Sequence, residues 1–374
     1  MMNVQVNEPD LSGNEKKYLC ECIDAGWISS EGPFVERFEK GVSEFCGRRH
    51  DTAVCNGSVA LDTAVRALGL EKGSEIIMPS FTIISCAAAI VRADCLPVLV
   101  DSDPLTWNMD VGQIESKITS KTKAVMAVHL YGFPVNMEPL LKIAEKYNLL
   151  VIEDAAEAIG LTCNGKPCGS FGDISCFSFY PNKHVTTGEG GMILCDSDEL
   201  RERCRGLRNL CFAPGRRFVH HELGHNFRMS NIQAAVGVAQ LEKIDATLKK
   251  KRYIGARYQE LLSGVKGLRL PLPKTDYADN LYWVFGIVLD GAVPADAEEF
   301  QKRLRERGVG TRPFFWPMHE QPVFQEQGLF RGERYPVAEN IARRGFYIPS
   351  GLTLTDEQME YSVAQVKAVI GELG

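Results

Sequence analysis

The chain predicts an α/β fold, a mostly parallel sheet flanked by helices, with a smaller C-terminal α+β domain. Three observations carry this. Short, nearly continuous apolar runs alternate with helical patterns from about residue 50 to residue 245, the signature of strands buried on both faces. The pattern then changes, and single strands alternate with single helices to the end of the chain. The composition, 45% hydrophobic and 24% charged over 374 residues, is that of a globular protein with room for two domains.

The elements follow in order. Val59 to Leu68, after Asn56-Gly57-Ser58, has the spacing of an amphipathic helix. Ile76-Ile77-Met78, Pro97 to Val100, Ala124 to Val128 and Leu149 to Ile152 are predicted strands. Pro139 to Tyr147, with Leu140, Leu141, Ile143 and Ala144, is a predicted helix between two of them. Such alternation covers a parallel sheet on both sides. Ligands of these sheets sit beyond the strands' carboxyl ends, and Asp154 falls at one. Leu248 to Arg252 is a basic run that reads as a solvated helix face. The domain boundary is placed there: residues 1–250, with the N-terminal segment, form a large domain and 251–374 a small one. The small domain should hold a strand (Trp283 to Leu289), a helix (Ala295 to Arg307), a strand (Gly310 to Phe315) and a last helix (Asp356 to Glu372).

Several function classes fall away. The formal net charge of −6 gives no reason to expect nucleic acid or an anionic membrane as partner. No apolar run reaches the ~18 residues of a membrane span, and Met1 to Glu8 lacks the basic and apolar regions of a signal peptide. A cytoplasmic location is the expectation. The twelve cysteines are scattered, with no C-x-x-C pair. Cys55, Cys86, Cys95, Cys176 and Cys195 read as small core residues, and no metal site is expected. His220, His221 and His225 read as surface or interface histidines.

The chemistry lies in two segments. Phe177 to Tyr180 ends an apolar run, Lys183 follows, and Gly188-Glu189-Gly190-Gly191 turns into the next run. Upstream, Val151-Ile152-Glu153-Asp154 places an acid at a strand end. A lysine nucleophile and a strand-end carboxylate fit a pyridoxal phosphate (PLP) enzyme, the lysine forming the Schiff base and the acid holding the pyridine nitrogen. Gly57-Ser58 at a helix start exposes backbone N–H groups and a hydroxyl to an anion. Each feature alone has an ordinary reading: Ser58 as a helix cap, Asp154 as a cap, Ser178 as a backbone partner, Lys183 as a surface residue.

Together these segments resemble the sugar aminotransferase family of fold-type I PLP enzymes, the DegT/StrS type. The likeness runs over nearly the whole chain. It covers Trp27 to Gly32, Asn56 to Leu61, Val151 to Ala158, Gly172 to Phe179 with Asn182-Lys183 and Thr187 to Gly191, and Gly224 to Ala235. The resemblance implies a set of roles. Lys183 is the Schiff-base lysine and Asp154 pairs with the ring nitrogen. Glu157 stands beside the ring hydroxyl, where relatives often have Gln. Gly57, Ser58 and Ser178 hold the phosphate. Ile83 takes the place of an aromatic residue that covers the ring, and Ala88 that of an Asn. Asn226 or Arg228 adds to the partner subunit's phosphate site, so a homodimer with shared active sites is implied. Trp27, Ser29, His184, Arg312 and His319 are the implied substrate contacts.

The resemblance is strongest to the branch that aminates GDP-4-keto-6-deoxymannose with L-glutamate, for surface polysaccharide. Arg312-Pro313 and Pro317-Met318-His319 also point there. A 3-aminotransferase acting on a dTDP- or UDP-sugar stays open. A PLP-dependent sugar dehydratase would have a histidine in place of Lys183 or a compact cysteine cluster. A non-catalytic regulatory protein on the same fold would not need the Lys183–Asp154 pair.

Overall fold

The computed structural model describes residues 2–213 and 215–373. Its centre is a seven-stranded sheet: β1 (His50–Val54), β2 (Glu75–Pro79), β3 (Leu96–Val100), β4 (Thr122–Val128), β5 (Leu150–Asp154), β6 (Ile174–Ser178) and β7 (Gly191–Cys195). The spatial order is β1-β7-β6-β5-β4-β2-β3. Strands β2 to β6 run parallel, and β7 lies antiparallel to both β6 and β1.

Alternate residues of these strands enter different cores, as a period of two requires. Ile77, Val125, Ala127 and Val151 pack into one, while Ile76, Met78, Ala124, Met126 and Ile152 pack into the other. Both faces are covered, so every one of these positions is apolar and the runs read as continuous. Helices α1 (Glu15–Asp24) and α2 (Pro33–Cys46) precede the sheet. Then come α3 (Gly57–Ala67), α4 (Ile84–Arg92), α5 (Met137–Tyr147), α6 (Asp198–Arg208), α7 (Asn231–Leu241) and α8 (Ile244–Leu262). Asn231 ties the N-terminal segment to α7: its Oδ1 accepts the Phe34 N–H at 2.8 Å and its Nδ2 donates to the Trp27 carbonyl at 2.7 Å.

The C-terminal part holds a four-stranded antiparallel sheet, β8 (Leu268–Arg269), β9 (Phe285–Leu289), β10 (Arg312–Pro313) and β11 (Gly345–Ile348), in the order β8-β9-β11-β10. It packs with α9 (Ala297–Glu306), α10 (Pro336–Arg344) and α11 (Asp356–Leu373). Among the described residues no helix is long and apolar enough to cross a membrane.

Three details depart from the sequence expectation. Helix α8 runs unbroken through residue 250, and Val4 sits in the core of the C-terminal part, paired with Val309. The strand expected over Gly310 to Phe315 is only Arg312–Pro313. The Phe314 N–H still bonds the Gly345 carbonyl at 3.2 Å, and the next N–H, of Phe315, bonds the Tyr131 hydroxyl at 3.1 Å instead. The basic run is not wholly solvated either. Lys251 is 1% exposed, and its Nζ donates to the carbonyls of Trp283 at 2.8 Å and Ser350 at 2.6 Å.

Candidate active site

Segments leaving the carboxyl ends of the parallel strands line a cavity of about 960 Å³. Lys183 reaches it from the loop between β6 and β7. That loop is folded tightly: Lys183 N–H bonds the Tyr180 carbonyl at 2.9 Å, Thr187 N–H the Phe179 carbonyl at 3.0 Å, and Gly188 adopts φ +79°. The Lys183 side chain is 11% exposed, and its Nζ lies 3.5 Å from Glu157 Oε1. The Trp283 ring covers the amine at 3.7 Å from Nζ to centroid. Burial pulls the Lys183 pKa below its usual value, against the opposing pull of Glu157 and Asp154.

Asp154, 2% exposed, ends β5. Its Oδ1 accepts the Ala156 N–H at 3.0 Å and its Oδ2 the Cys86 S–H at 3.1 Å. Burial raises its pKa, and these two bonds work against that rise. Glu157 follows one short turn later. Its Oε2 accepts the Tyr131 N–H at 2.8 Å, and burial pushes its carboxyl up to about 7. One amine and two carboxylates thus share a site of low solvent exposure, where charge is costly unless paired.

The start of α3 faces the cavity. Asn56 Oδ1 caps the helix by accepting the Val59 N–H at 3.0 Å. The first N–H groups of the helix, at Gly57 and Ser58, have no partner within it. A Cβ on Gly57 would lie 2.7 Å from Ser178 Cβ, so only glycine lets the helix start meet the end of β6. The Ser58 hydroxyl lies 2.7 Å from that of Ser85, and Ser58, Ser85 and Ser178 all line the cavity. An N–H-rich helix start with hydroxyls, a buried carboxylate and a buried amine match the three ends of PLP. Gly57, Ser58 and Ser178 would hold its phosphate, Asp154 its ring nitrogen and Lys183 its carbonyl carbon.

Of the residues nominated from sequence, Lys183, Asp154, Glu157, Gly57, Ser58, Ser178, Ile83 and Arg312 line this one cavity. Six do not. His184 points into the protein: its Nδ1 meets the Ile159 carbonyl at 3.2 Å, and burial lowers its pKa to about 3. His319 is 2% exposed and bonds Ser80 Oγ at 2.8 Å and Glu339 Oε1 at 3.2 Å, so its ring fastens the segment after β10. Trp27 and Ser29 are exposed and act on α7 through their backbone carbonyls. Asn226 is exposed, and Arg228 donates to Asn209 Oδ1 at 2.5 Å.

Sequence reasoning missed Cys86 and an aromatic wall. Tyr131 lies nearly parallel to Trp283, with centroids 6.2 Å apart at 4°, and 4.4 Å from Phe314 at 22°. Phe315, Trp316 and Tyr347 extend the wall. A signal existed in Tyr131-Gly132, just past a strand end. Gly132 has φ +90°, and a Cβ there would meet the Trp283 nitrogen at 2.3 Å. That close approach brings the small unit against Tyr131.

A doubly covered α/β sheet with a lysine, an acid and an anion cradle at its carboxyl edge defines a PLP-dependent enzyme. The comparisons with known proteins narrow this. Residues 9–367 match the DegT/DnrJ/EryC1/StrS aminotransferase family, and the chain belongs to it. It is 40% identical over 361 residues to a GDP-perosamine synthase of Escherichia coli O157:H7, covering 96% of this chain and 97% of that protein. It is 39% identical over 360 residues to the GDP-perosamine synthase of Vibrio cholerae, covering 96% of each. The structure of S. venezuelae DesV, solved in complex with a ketimine intermediate, superposes with a TM-score of 0.88. It is 30% identical, covering 96% of this chain and 94% of that one. The protein is a PLP-dependent sugar aminotransferase.

Proposed function

We propose that this enzyme moves an amino group from L-glutamate to a nucleotide-linked 4-keto-6-deoxy sugar, the GDP-linked sugar first, in surface polysaccharide synthesis. The observation that carries the reading is the meeting of Lys183, Asp154 and Glu157 in one cavity with the start of α3. The two GDP-perosamine synthases support the choice of sugar.

The bound cofactor supplies an electron sink for a carbanion beside nitrogen. Lys183 does the proton work. Burial lowers its pKa and so favours the neutral amine, whose Nζ can take a proton from a substrate carbon and return it. Asp154, held by the Ala156 N–H and the Cys86 S–H, presents a fixed negative charge. Glu157 can store a proton 3.5 Å from Nζ. Trp283 lies over the amine, and Tyr131 is stacked parallel to Trp283. Exposed Arg312, for which no ion-pair partner is found among the described residues, suits an anionic substrate group.

The active unit in this proposal is a cytoplasmic homodimer. Asn226 and Arg228 lie off the chain's own cavity and would serve the partner's phosphate site. Trp27 and Ser29 would reach substrate in the same assembly. Residues up to about 250, apart from the segment around Val4 that packs into the smaller unit, would form the cofactor-binding unit. The smaller unit after it closes the cavity with Trp283, Arg312 and Phe314 to Trp316.

The test begins by loading the enzyme with amine from L-glutamate. A panel of nucleotide keto sugars is then added, and products are identified by mass spectrometry and NMR. A 4-amino-4,6-dideoxy sugar on GDP is expected. Amination of 3-keto sugars alone would replace this reading with the dTDP- or UDP-linked one. Borohydride reduction and peptide mapping should place the cofactor adduct on Lys183.

A further inference from the structure

Asp154 shows the cavity only part of its surroundings. Behind it, on the first turn of α4, lies Cys86, fully buried and outside the cavity lining. Its Sγ is 3.1 Å from Asp154 Oδ2 and 3.4 Å from Thr82 Oγ1. An ionised carboxylate has no proton, so the thiol must donate to Asp154. The single S–H is then used, and Thr82 must donate to sulfur. The result is a directed chain, Thr82 O–H to Cys86 S–H to Asp154, ending on the oxygen that the backbone does not hold. The other oxygen has the Ala156 N–H at 3.0 Å.

We propose that Cys86 is a positioning residue for the catalytic carboxylate, its S–H fixing the orientation of Asp154 and stabilising its charge from the side away from the cavity. This rests on the PLP aminotransferase reading and extends it to a residue that never touches substrate. The need is physical. A 2% exposed carboxylate has lost its water, and each donor it keeps favours the anion. A thiol is a weak donor, but one aimed at an ionised acceptor in a dry site counts for more than in water. It is also small and apolar enough to belong to the buried core cluster that includes Ala87, Ile90 and Cys176.

A packing role makes the opposite forecast, which allows a clean test. Cys86→Ser keeps a donor, Cys86→Val keeps the apolar volume, and Cys86→Ala keeps neither. The PLP-loaded enzymes are titrated by absorbance against pH, and the glutamate half-reaction is followed by stopped flow. Without the S–H, Asp154 holds a proton more tightly and draws positive charge off the ring nitrogen. The lysine–cofactor nitrogen then becomes more basic. Cys86→Ala and Cys86→Val should both raise the absorbance midpoint by about half a pH unit and slow the half-reaction about fivefold. Glutamate affinity should hardly change. Cys86→Ser should stay within about twofold of wild type, and Thr82→Val should shift the midpoint upward by less. Wild-type behaviour of Cys86→Val with an impaired Cys86→Ser would overturn the proposal in favour of packing. If Cys86→Val does not fold, an unshifted midpoint in Cys86→Ala overturns it equally. A wild-type enzyme whose spectrum ignores L-glutamate would instead refute the aminotransferase reading.

Discussion

Replacing Gly57 with alanine should cost the protein most of its hold on PLP while leaving the fold in place. The added Cβ would lie 2.7 Å from Ser178 Cβ, 3.0 Å from Ser178 Oγ and 3.3 Å from Ser178 Cα. Carbon atoms prefer about 3.5–4.0 Å, so helix start and strand end must part by about 1 Å. Ser178 has little room to retreat, because it pairs with Gly191 on β7. Gly191 in turn packs so close to Asn56 that its own Cβ would meet the Asn56 carbonyl oxygen at 2.5 Å. The start of α3 is the element that gives way, and it carries the free N–H groups. Overpacking of this kind costs about 1–3 kcal/mol. If that strain is relieved by tilting the helix off its ligand, affinity falls about five- to one-hundredfold. Absorbance after dialysis against graded PLP reads the affinity, and thermal melting of the apo protein reads the packing cost separately. Ser178→Ala is the control that removes the hydroxyl without a clash. Affinity of Gly57→Ala within twofold of wild type would mean that the start of α3 does not cradle the phosphate.

Three further outcomes are expected. Asp154→Asn should retain PLP and slow both half-reactions by roughly thirtyfold or more, about 2 kcal/mol of barrier, since a neutral amide cannot hold a cationic ring nitrogen; near-wild-type single-turnover rates would place Asp154 elsewhere. Glu157→Gln should make the apo protein more heat-stable than wild type at about pH 8. Burial raises the Glu157 pKa from 4.5 to about 7, so the folded state binds this proton more tightly than the unfolded chain and loses stability as pH rises through that window. The gap, up to about 3 kcal/mol, should vanish toward about pH 4.5; a melting difference independent of pH would refute it. Finally, Lys183→Ala and an Asn226/Arg228 double variant, each inactive alone, should regain activity when their subunits exchange, and silence despite proven exchange would argue against shared sites.

The strands and Lys183 were legible because their signals are local. Runs such as Ala124 to Val128 are apolar on both faces, and a lysine between an apolar run and a Gly-rich turn stands out in one dimension. The helix start beside the cavity was legible for the same reason, since Gly57 and Ser58 are adjacent and open a helix. What stayed hidden depends on chain return. Trp283 reaches Lys183 from 100 residues downstream, through contacts set by Gly132. Cys86 looked like any small core residue, because nothing in its neighbours along the chain names Asp154. His184 and His319 do not line the cavity: a histidine beside Lys183 in sequence can direct its ring elsewhere, and the His184 ring meets the Ile159 carbonyl.

The basic run near residue 250 shows why residue type alone could not separate structure from chemistry. Two lysines of low exposure flank Trp283, Lys251 buried and Lys183 mostly so. Lys183 lies under its ring, with Glu157 and Asp154 in electrostatic reach. Lys251 donates to the carbonyl of the same tryptophan and to that of Ser350, and among the described residues no carboxylate pairs with it. Burial lowers the pKa of Lys251 to about 7. Its nitrogen is committed to two carbonyls, however, and it does not line the cavity. Lys183 keeps a loose 3.5 Å contact and an open path to substrate. Depressed basicity makes an amine available, but it becomes a catalyst only where its hydrogen bonds can be exchanged. The loop from Ser178 to Gly191 meets that condition for Lys183, and helix α8 denies it to Lys251.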